Sequence, residues 1–190
     1  IAQGEEIYNA FVRSRHLTHV FNTTQNKEER IAAIRELLGH IGSNTFITPP
    51  FRCDYGSNIS IGDYSGTNYD CIFLDVCPIT IGNHVSIGPR VTLTTAGHPI
   101  DAEVRNMGLE FGKPITICDN VWIGANVVVN PGVTIGENTV IGSGSVVTKD
   151  IPANVVSVGN PCRVLREIND HDREYWNRLK DEYYAAMDAE

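Results

Sequence analysis

The chain has 190 residues, 42% of them apolar and 20% charged, with a formal net charge of −8. That length suffices for one domain with a sizeable core. The acidic balance argues against non-specific nucleic-acid binding, which needs a cationic surface, and no apolar run approaches the roughly 18 residues of a membrane span. The N-terminal IAQGEEIYNA carries neither the basic nor the apolar segment of a secretory signal. The five cysteines, Cys53, Cys71, Cys77, Cys118 and Cys162, are odd in number and form no CxxC pair. Small buried thiols in a reducing cytoplasm are the expectation.

In chain order, residues 4–17 and 26–41 read as helices. Asn26 is the cap of the second, and Ile31, Ile34, Leu37, Leu38 and Ile41 form its apolar stripe. Thr48-Pro49-Pro50 ends this region. From Ile81 the chain repeats every six residues: IGNHVS (81–86), IGPRVT (87–92) and LTTAGH (93–98). The rhythm resumes as ICDNVW (117–122), IGANVV (123–128), VNPGVT (129–134), IGENTV (135–140), IGSGSV (141–146) and VTKDIP (147–152). A less regular copy is IGDYSG (61–66). Position one is always aliphatic. Position five is small or β-branched.

A period of six scatters residues around a helix but suits a coil with flat sides. Each unit makes a short strand and a corner, three units close a coil, and Gly or Asn tolerates the sharp turn. The fold class is therefore mainly β, a parallel β-helix of hexapeptide repeats. Leu93 and Ile117 are 24 residues apart, a multiple of six, so residues 98–116 leave as an external loop and rejoin in register. Residues 169–189 read as a helix capped by Asn169 or Asp170, with Tyr175, Leu179 and Tyr183 on one side. Its simplest role is to cover the last open coil. This divides the chain into a helical segment 1–50, a β-helix 51–165 and a C-terminal helix 166–190.

Five stretches together resemble one family: GEEIYNA (4–10), PPFRCDYGSNISIG (49–62), FLDVCPITIG (73–82), TTAGHPI (94–100), and the long run from KPITICDNVWIG to GNPCRVLREI (113–168). They are similar to the maltose and galactoside O-acetyltransferases, which are left-handed β-helix, hexapeptide-repeat acyltransferases. The likeness spans nearly the whole chain. It implies left-handed coils, a homotrimer, and acetyl-CoA held in clefts between subunits.

Transfer of an acetyl group from a thioester to a sugar hydroxyl needs a base, because a hydroxyl is a poor nucleophile at neutral pH. Histidine is the side chain suited to that work. The resemblance assigns this role to His98, in the HP motif at the loop root. It assigns the backbone N–H of Ala125 to the oxyanion. Asp54, Asn68 and Asp75 match acceptor-binding positions, and Glu110 either orients His98 or binds the acceptor. Carboxylates and amides suit sugar hydroxyls because they make several hydrogen bonds each. Lys149, Arg163 and Arg166 match positions facing the CoA phosphates. Trp122, Ser143 and Thr148 match the rest of the CoA site. The resemblance implies no metal.

The chain departs from the family at Asn9, at Asp70 and at Tyr64-Ser65-Gly66-Thr67, all on the acceptor side. Each singled-out residue also has a structural reading. Asp54 and Asp75 are candidates for corner residues that bond their own backbone. Arg163 and Arg166 are candidates for salt bridges to the C-terminal helix. Three other functions compete. A zinc enzyme of the γ-class carbonic anhydrase type needs three convergent histidines, and the coil region offers His84 and His98. A non-catalytic scaffold keeps the coils alone. An acetyltransferase for another acceptor, such as a xenobiotic alcohol, a nodulation-type oligosaccharide or an amino sugar, shares the whole scaffold.

Overall fold

The structure, a computed structural model describing residues 2–188, builds the coil that the six-residue period requires. Short strands stack into three sheets around one core. Face one stacks His40–Ile41, Ile59–Ile61, Ile79–Ile81, Ile115–Ile117 and Thr134–Ile135. Face two stacks Phe46–Ile47, Gly66–Thr67, Ser86–Ile87, Trp122–Ile123, Val140–Ile141 and Val155–Val158. Face three stacks Phe51–Cys53, Cys71–Leu74, Thr92–Thr94, Val128–Val129 and Val146–Val147. The neighbours within these stacks are parallel, and the chain visits the faces in turn, making a β-helix of about six coils.

The core follows from the repeat. Ile81, Ile87, Leu93, Ile117, Ile123, Val129, Ile135, Ile141 and Val147, all at position one, are buried. Position five is buried as well, at Val85, Val91, Val121, Val127, Val133, Thr139 and Ser145. Two inward residues in every six fill the prism. Like stacks on like, as in Ile81 on Ile117 on Ile135, which packs the interior without steps in side-chain size. Position four turns the first corner with φ between 53° and 60° at Asn44, Tyr64, His84, Asn120, Asn138 and Asn154. Asn adopts this left-handed region readily, and Tyr and His do so at a cost. Tyr64 and His84 stack on each other there, ring centroids 5.1 Å apart and 3° from parallel.

The coils start earlier than the repeat suggests, at His40, so Pro49 and Pro50 lie within the first coil. These early coils are longer. Ile41, Ile61 and Ile81 align at 20-residue intervals, whereas Ile117 and Ile135 align at 18. The two extra residues fall at the third corner, between face three and face one. The loop is an insertion in register, as expected, since Ile115 to Ile117 pairs with Ile79 to Ile81.

Two helices cover the first coil. α1 (Ala2–Thr23) and α2 (Lys27–Leu37) extend beyond or stop short of their expected limits. Asn26 caps α2 as expected, accepting from the N–H groups of Glu28 and Glu29 at 2.9 and 3.1 Å. The buried side of α2 is Ala33, Ile34 and Leu37. Ile31 is 45% exposed and Ile41 belongs to a strand, so neither is part of that stripe. The amide of Asn22 in α1 gives and takes one hydrogen bond with the backbone of Phe51, both 2.9 Å. This occupies the outer edge of face three as a neighbouring strand would.

The other end differs from expectation. After Val155–Val158 the chain reverses, and Arg163–Glu167 pairs antiparallel with that strand. The edge of face two is thereby closed by a hairpin. A short helix in the loop, α3 (Ala102–Asn106), precedes the C-terminal helix α4 (Asp170–Met187), which Asn169 caps through a reciprocal pair with Asp172. α4 buries none of its residues, so it does not cover the last coil. No helix among the described residues is long and apolar enough to cross a membrane.

Candidate active site

The third corner carries the first group of expected residues. Its extra length has to be held, and two buried polar side chains hold it. Asp75 accepts backbone N–H bonds from Asp54 at 3.0 Å, Tyr55 at 2.9 Å and Asn58 at 3.2 Å. One coil on, the hydroxyl of Thr95 donates to the Leu74 carbonyl and accepts from the Cys77 N–H, at 2.8 and 2.9 Å. Both side chains are fully buried. The expectation that Asp75 faces an acceptor is therefore corrected. Its oxygens are used on backbone, and burial pushes its carboxyl above the ordinary range despite those bonds. What it presents is Asp54.

Immediately after Thr95 the loop departs as a hairpin. Ala96–Gly97 pairs antiparallel with Phe111–Gly112. A side chain at residue 97 would strike the Phe111 ring, and one at 112 would strike the Cys77 sulfur. Glycine at both positions lets the hairpin lie flat on the corner. Asp101 caps α3 by accepting from the Val104 N–H at 3.0 Å, and Arg105 donates to the carbonyls of Pro99 and Ile100, both at 2.9 Å.

His98 is the first residue beyond this ladder and is exposed. Its Nδ1 lies 3.2 Å from the carbonyl oxygen of Leu109. A carbonyl only accepts, so in this bond Nδ1 carries the proton, and Nε2 of the neutral ring keeps its lone pair. The partner holding the ring is thus a backbone group. Glu110 does not fill the orienting role considered for it. It lies close enough to raise the carboxyl of Asp54, after burial and Asp75, while Arg15 acts in the opposite direction. Tyr55 is raised by burial and then by Asp54 and Glu110. Asp54, Tyr55 and Glu110 therefore lie within electrostatic reach of one another. Thr148 and Lys149 leave the same corner two coils on, both exposed.

A second group stands elsewhere on the prism. Trp122 projects from face two, 57% exposed, between Ser86 and Val140. Ala125, Ser143 and Asn68 turn the second corner, between faces two and three. The N–H of Ala125 donates to the Ser143 hydroxyl at 3.1 Å, so the expected oxyanion donor is occupied by a neighbouring side chain. The Asn68 side chain accepts from the Tyr69 N–H at 2.8 Å, bonding its own corner. Arg166 makes a two-pronged bond to Asp172, both contacts 2.7 Å. This holds the Asp172 carboxyl down to about 2, and Arg166 is committed to α4 rather than free for phosphate. Arg163 and Lys149 form no ion pair among the described residues.

One chain therefore separates His98, Asp54 and Glu110 on the third corner from Trp122, Ala125, Ser143 and Asn68 on face two and the second corner. His84, the second histidine of the zinc reading, sits on the first corner. Among the described residues no group of three or more His, Cys, Asp or Glu is arranged to hold a metal ion. All five cysteines are free thiols. Sequence reasoning missed Leu109 and Tyr55. Leu109 acts through its carbonyl, which no side chain advertises.

Stacked hexapeptide coils, with a histidine-bearing hairpin inserted at one corner, define a hexapeptide-repeat β-helix protein. The profile of the bacterial transferase hexapeptide (six repeats) matches residues 114–149. The galactoside O-acetyltransferase of Escherichia coli (strain K12) is 48% identical over 167 residues, 87% of this chain and 82% of that protein. The chain belongs to the galactoside and maltose O-acetyltransferase family of hexapeptide-repeat acyltransferases. The maltose O-acetyltransferase of Clostridium difficile 630 superposes with a TM-score of 0.86 at 50% identity, covering 89% of this chain and 91% of that one. A hexapeptide-repeat acetyltransferase of Vibrio cholerae O1 biovar eltor, complexed with acetyl-CoA, gives 0.85 at 42% identity, covering 86% and 90%.

Proposed function

We propose that this protein transfers the acetyl group of acetyl-CoA to a hydroxyl of a sugar of the maltose, glucose or galactoside type, with His98 as the general base. The observation that carries the reading is the bond from His98 Nδ1 to the Leu109 carbonyl, at 3.2 Å. It orients the ring from a rigid hairpin and reserves Nε2 for a proton. Nε2 takes the hydroxyl proton as that oxygen attacks the thioester carbonyl. As the carbon–sulfur bond breaks, the same proton passes to the departing thiolate. Asp54 and Glu110 bind the other hydroxyls of the sugar. Lys149 and Arg163, without acid partners among the described residues, suit the phosphates of CoA.

The separation of the two residue groups supports a site assembled from two copies. The third corner of one subunit meets face two and the second corner of the next, which is the arrangement of a homotrimer. Five free thiols suit a reducing compartment such as the cytoplasm.

The test is the His98→Ala variant, assayed by thiol release with acetyl-CoA over maltose, glucose, galactosides, amino sugars and non-sugar alcohols. Turnover should fall at least about a hundredfold, while light scattering still reports a trimer and acetyl-CoA still binds. Unchanged turnover removes His98 as the base. No thiol release by the parent protein with any acceptor points to a scaffold instead.

A further inference from the structure

Apart from Trp122, the outward row of face two has no place in the chemistry described so far. In register it reads Phe46, Gly66, Ser86, Trp122 and Val140. Side chains in such a row stand clear of the sheet, and Ser86 and Trp122 are exposed. Gly66 is buried all the same. The cause is Phe46. A Cβ on Gly66 would strike Cζ, Cε1 and Cε2 of that ring, so the ring leans one rung along the row and lies on the bare glycine. It remains 62% exposed. Gly66 does not have a positive φ, so the ring, and not the backbone, is what requires glycine here.

Rungs of a sheet are about 4.8 Å apart, which puts about 10 Å between the backbones of Gly66 and Trp122. Ser86 lies between them. The row is thereby a short shelf with an aromatic ring at each end and a small polar floor. A flat ring touching both walls needs about 3.5–4 Å on each side, which this spacing provides. Asn68 follows on the same strand, at the second corner. Its side-chain oxygen is used on the Tyr69 N–H, and its NH2 group remains to donate. We infer that Phe46, seated by Gly66, contacts the substrate and sets acceptor specificity: its ring takes an apolar face of the acceptor, supplied by the C–H side of the sugar ring or by an apolar aglycone. This rests on the acetyl-transfer reading and on the two-copy site, in which face two meets the third corner of the next subunit. Gly66 falls in the stretch 64–67 where the chain departs from its family, which makes this seat a feature of the chain itself.

The experiment measures turnover and binding on the full chain. Thiol release with acetyl-CoA is followed for methyl and phenyl glucosides and galactosides, and calorimetry is run on the same four. Phe46→Ala should raise the KM of the acceptor by about three- to tenfold, the size of one aromatic contact. It should leave kcat within about twofold and the KM of acetyl-CoA unchanged, as loss of a uniform binding contact does. Phe46→Tyr, which keeps the ring, should keep the parent KM. Gly66→Ala unseats the ring, which also lines a groove of about 180 Å³ beside Ile31 and Ile34 of α2 and has room there. That variant should raise the acceptor KM as Phe46→Ala does, and the double variant should be no worse than either alone. A larger loss for phenyl than for methyl glycosides places the aglycone on the ring, and equal losses place the sugar there. An unchanged acceptor KM in Phe46→Ala overturns the inference, as do additive effects of the two changes. An equal rise in the KM of acetyl-CoA assigns the ring to the cofactor instead, and dissociation of Phe46→Ala in light scattering makes it a subunit contact; either result overturns the inference. Absence of thiol release by the parent protein overturns the acetyl-transfer reading. Calorimetry then decides on the ring by itself: weaker glycoside binding by Phe46→Ala upholds it, and equal binding removes it.

Discussion

The coils before and after the hairpin obey one core rule and differ at one corner. From Ile117 the interval is 18 residues as far as Val147, the third corners are short, and the buried hydroxyls of Thr139 and Ser145 bond backbone at the other two corners. Before the hairpin the interval is 20 residues, and the third corner is held by a buried carboxylate and a buried hydroxyl. The regular half is a scaffold whose corners look alike. The irregular half spends buried polar groups on giving one corner a particular shape, and Asp54, Tyr55 and the hairpin root all lie there. On the proposed reading, departures from the repeat, more than the repeat, mark where the chemistry is done.

Asp75 and Asp54 allow that distinction to be broken at its strongest point. Asp75→Ala removes the buried acceptor of three backbone N–H groups and should destabilise the fold by about 2–4 kcal/mol, given what unpaired donors away from water cost. Chemical unfolding of the variant measures it. Asp54→Asn should leave stability within about 0.5 kcal/mol, as half-exposed substitutions usually do, yet raise the KM for the acceptor. A stable Asp75→Ala protein with a raised KM alone would reverse the two roles.

Acid should separate the two ends of the molecule. Asp172 has a folded value of about 2, below its ordinary 3.8. Its contribution is present above 3.8 and is lost as pH falls through 2. Asp75 is shifted the other way, raised by burial. Its contribution is present below 3.8 and is lost as pH rises through its folded value, so acid does not weaken that corner through Asp75. Lowering the pH from 4 to 2 should therefore raise hydrogen exchange at Asn169, whose N–H bonds Asp172, before exchange rises at Asn58. The opposite order contradicts these assignments.

Much of the architecture was legible because period and register are properties of the chain alone. Position one and the in-register loop were readable from Ile, Leu and Val at fixed spacing. The early coils were not, because a 20-residue interval breaks a search for sixes, and Phe46 and Pro50 occupy strand and corner positions that later coils fill differently. His98 was legible as a motif. The group that orients it was not, because a carbonyl of Leu109 has no sequence signature. Asp75 and Arg166 illustrate the limit for charged residues. Each had a site reading and a structural one, and only the partners within bonding distance, three backbone N–H groups and the Asp172 carboxylate, decide between them.

The smallest effect tests the regular corners. Arg90 turns the second corner at φ 57°, where Asn126 and Gly144 stand in the following coils. A long side chain pays for the left-handed backbone, and Asn does so far less. Arg90 forms no ion pair among the described residues that the change would break. Arg90→Asn should therefore stabilise the fold by up to about 1 kcal/mol, seen as a rise in the unfolding midpoint at unchanged slope. A loss of stability would show that Arg90 makes a contact outside its own chain, and would draw this corner into the irregular half.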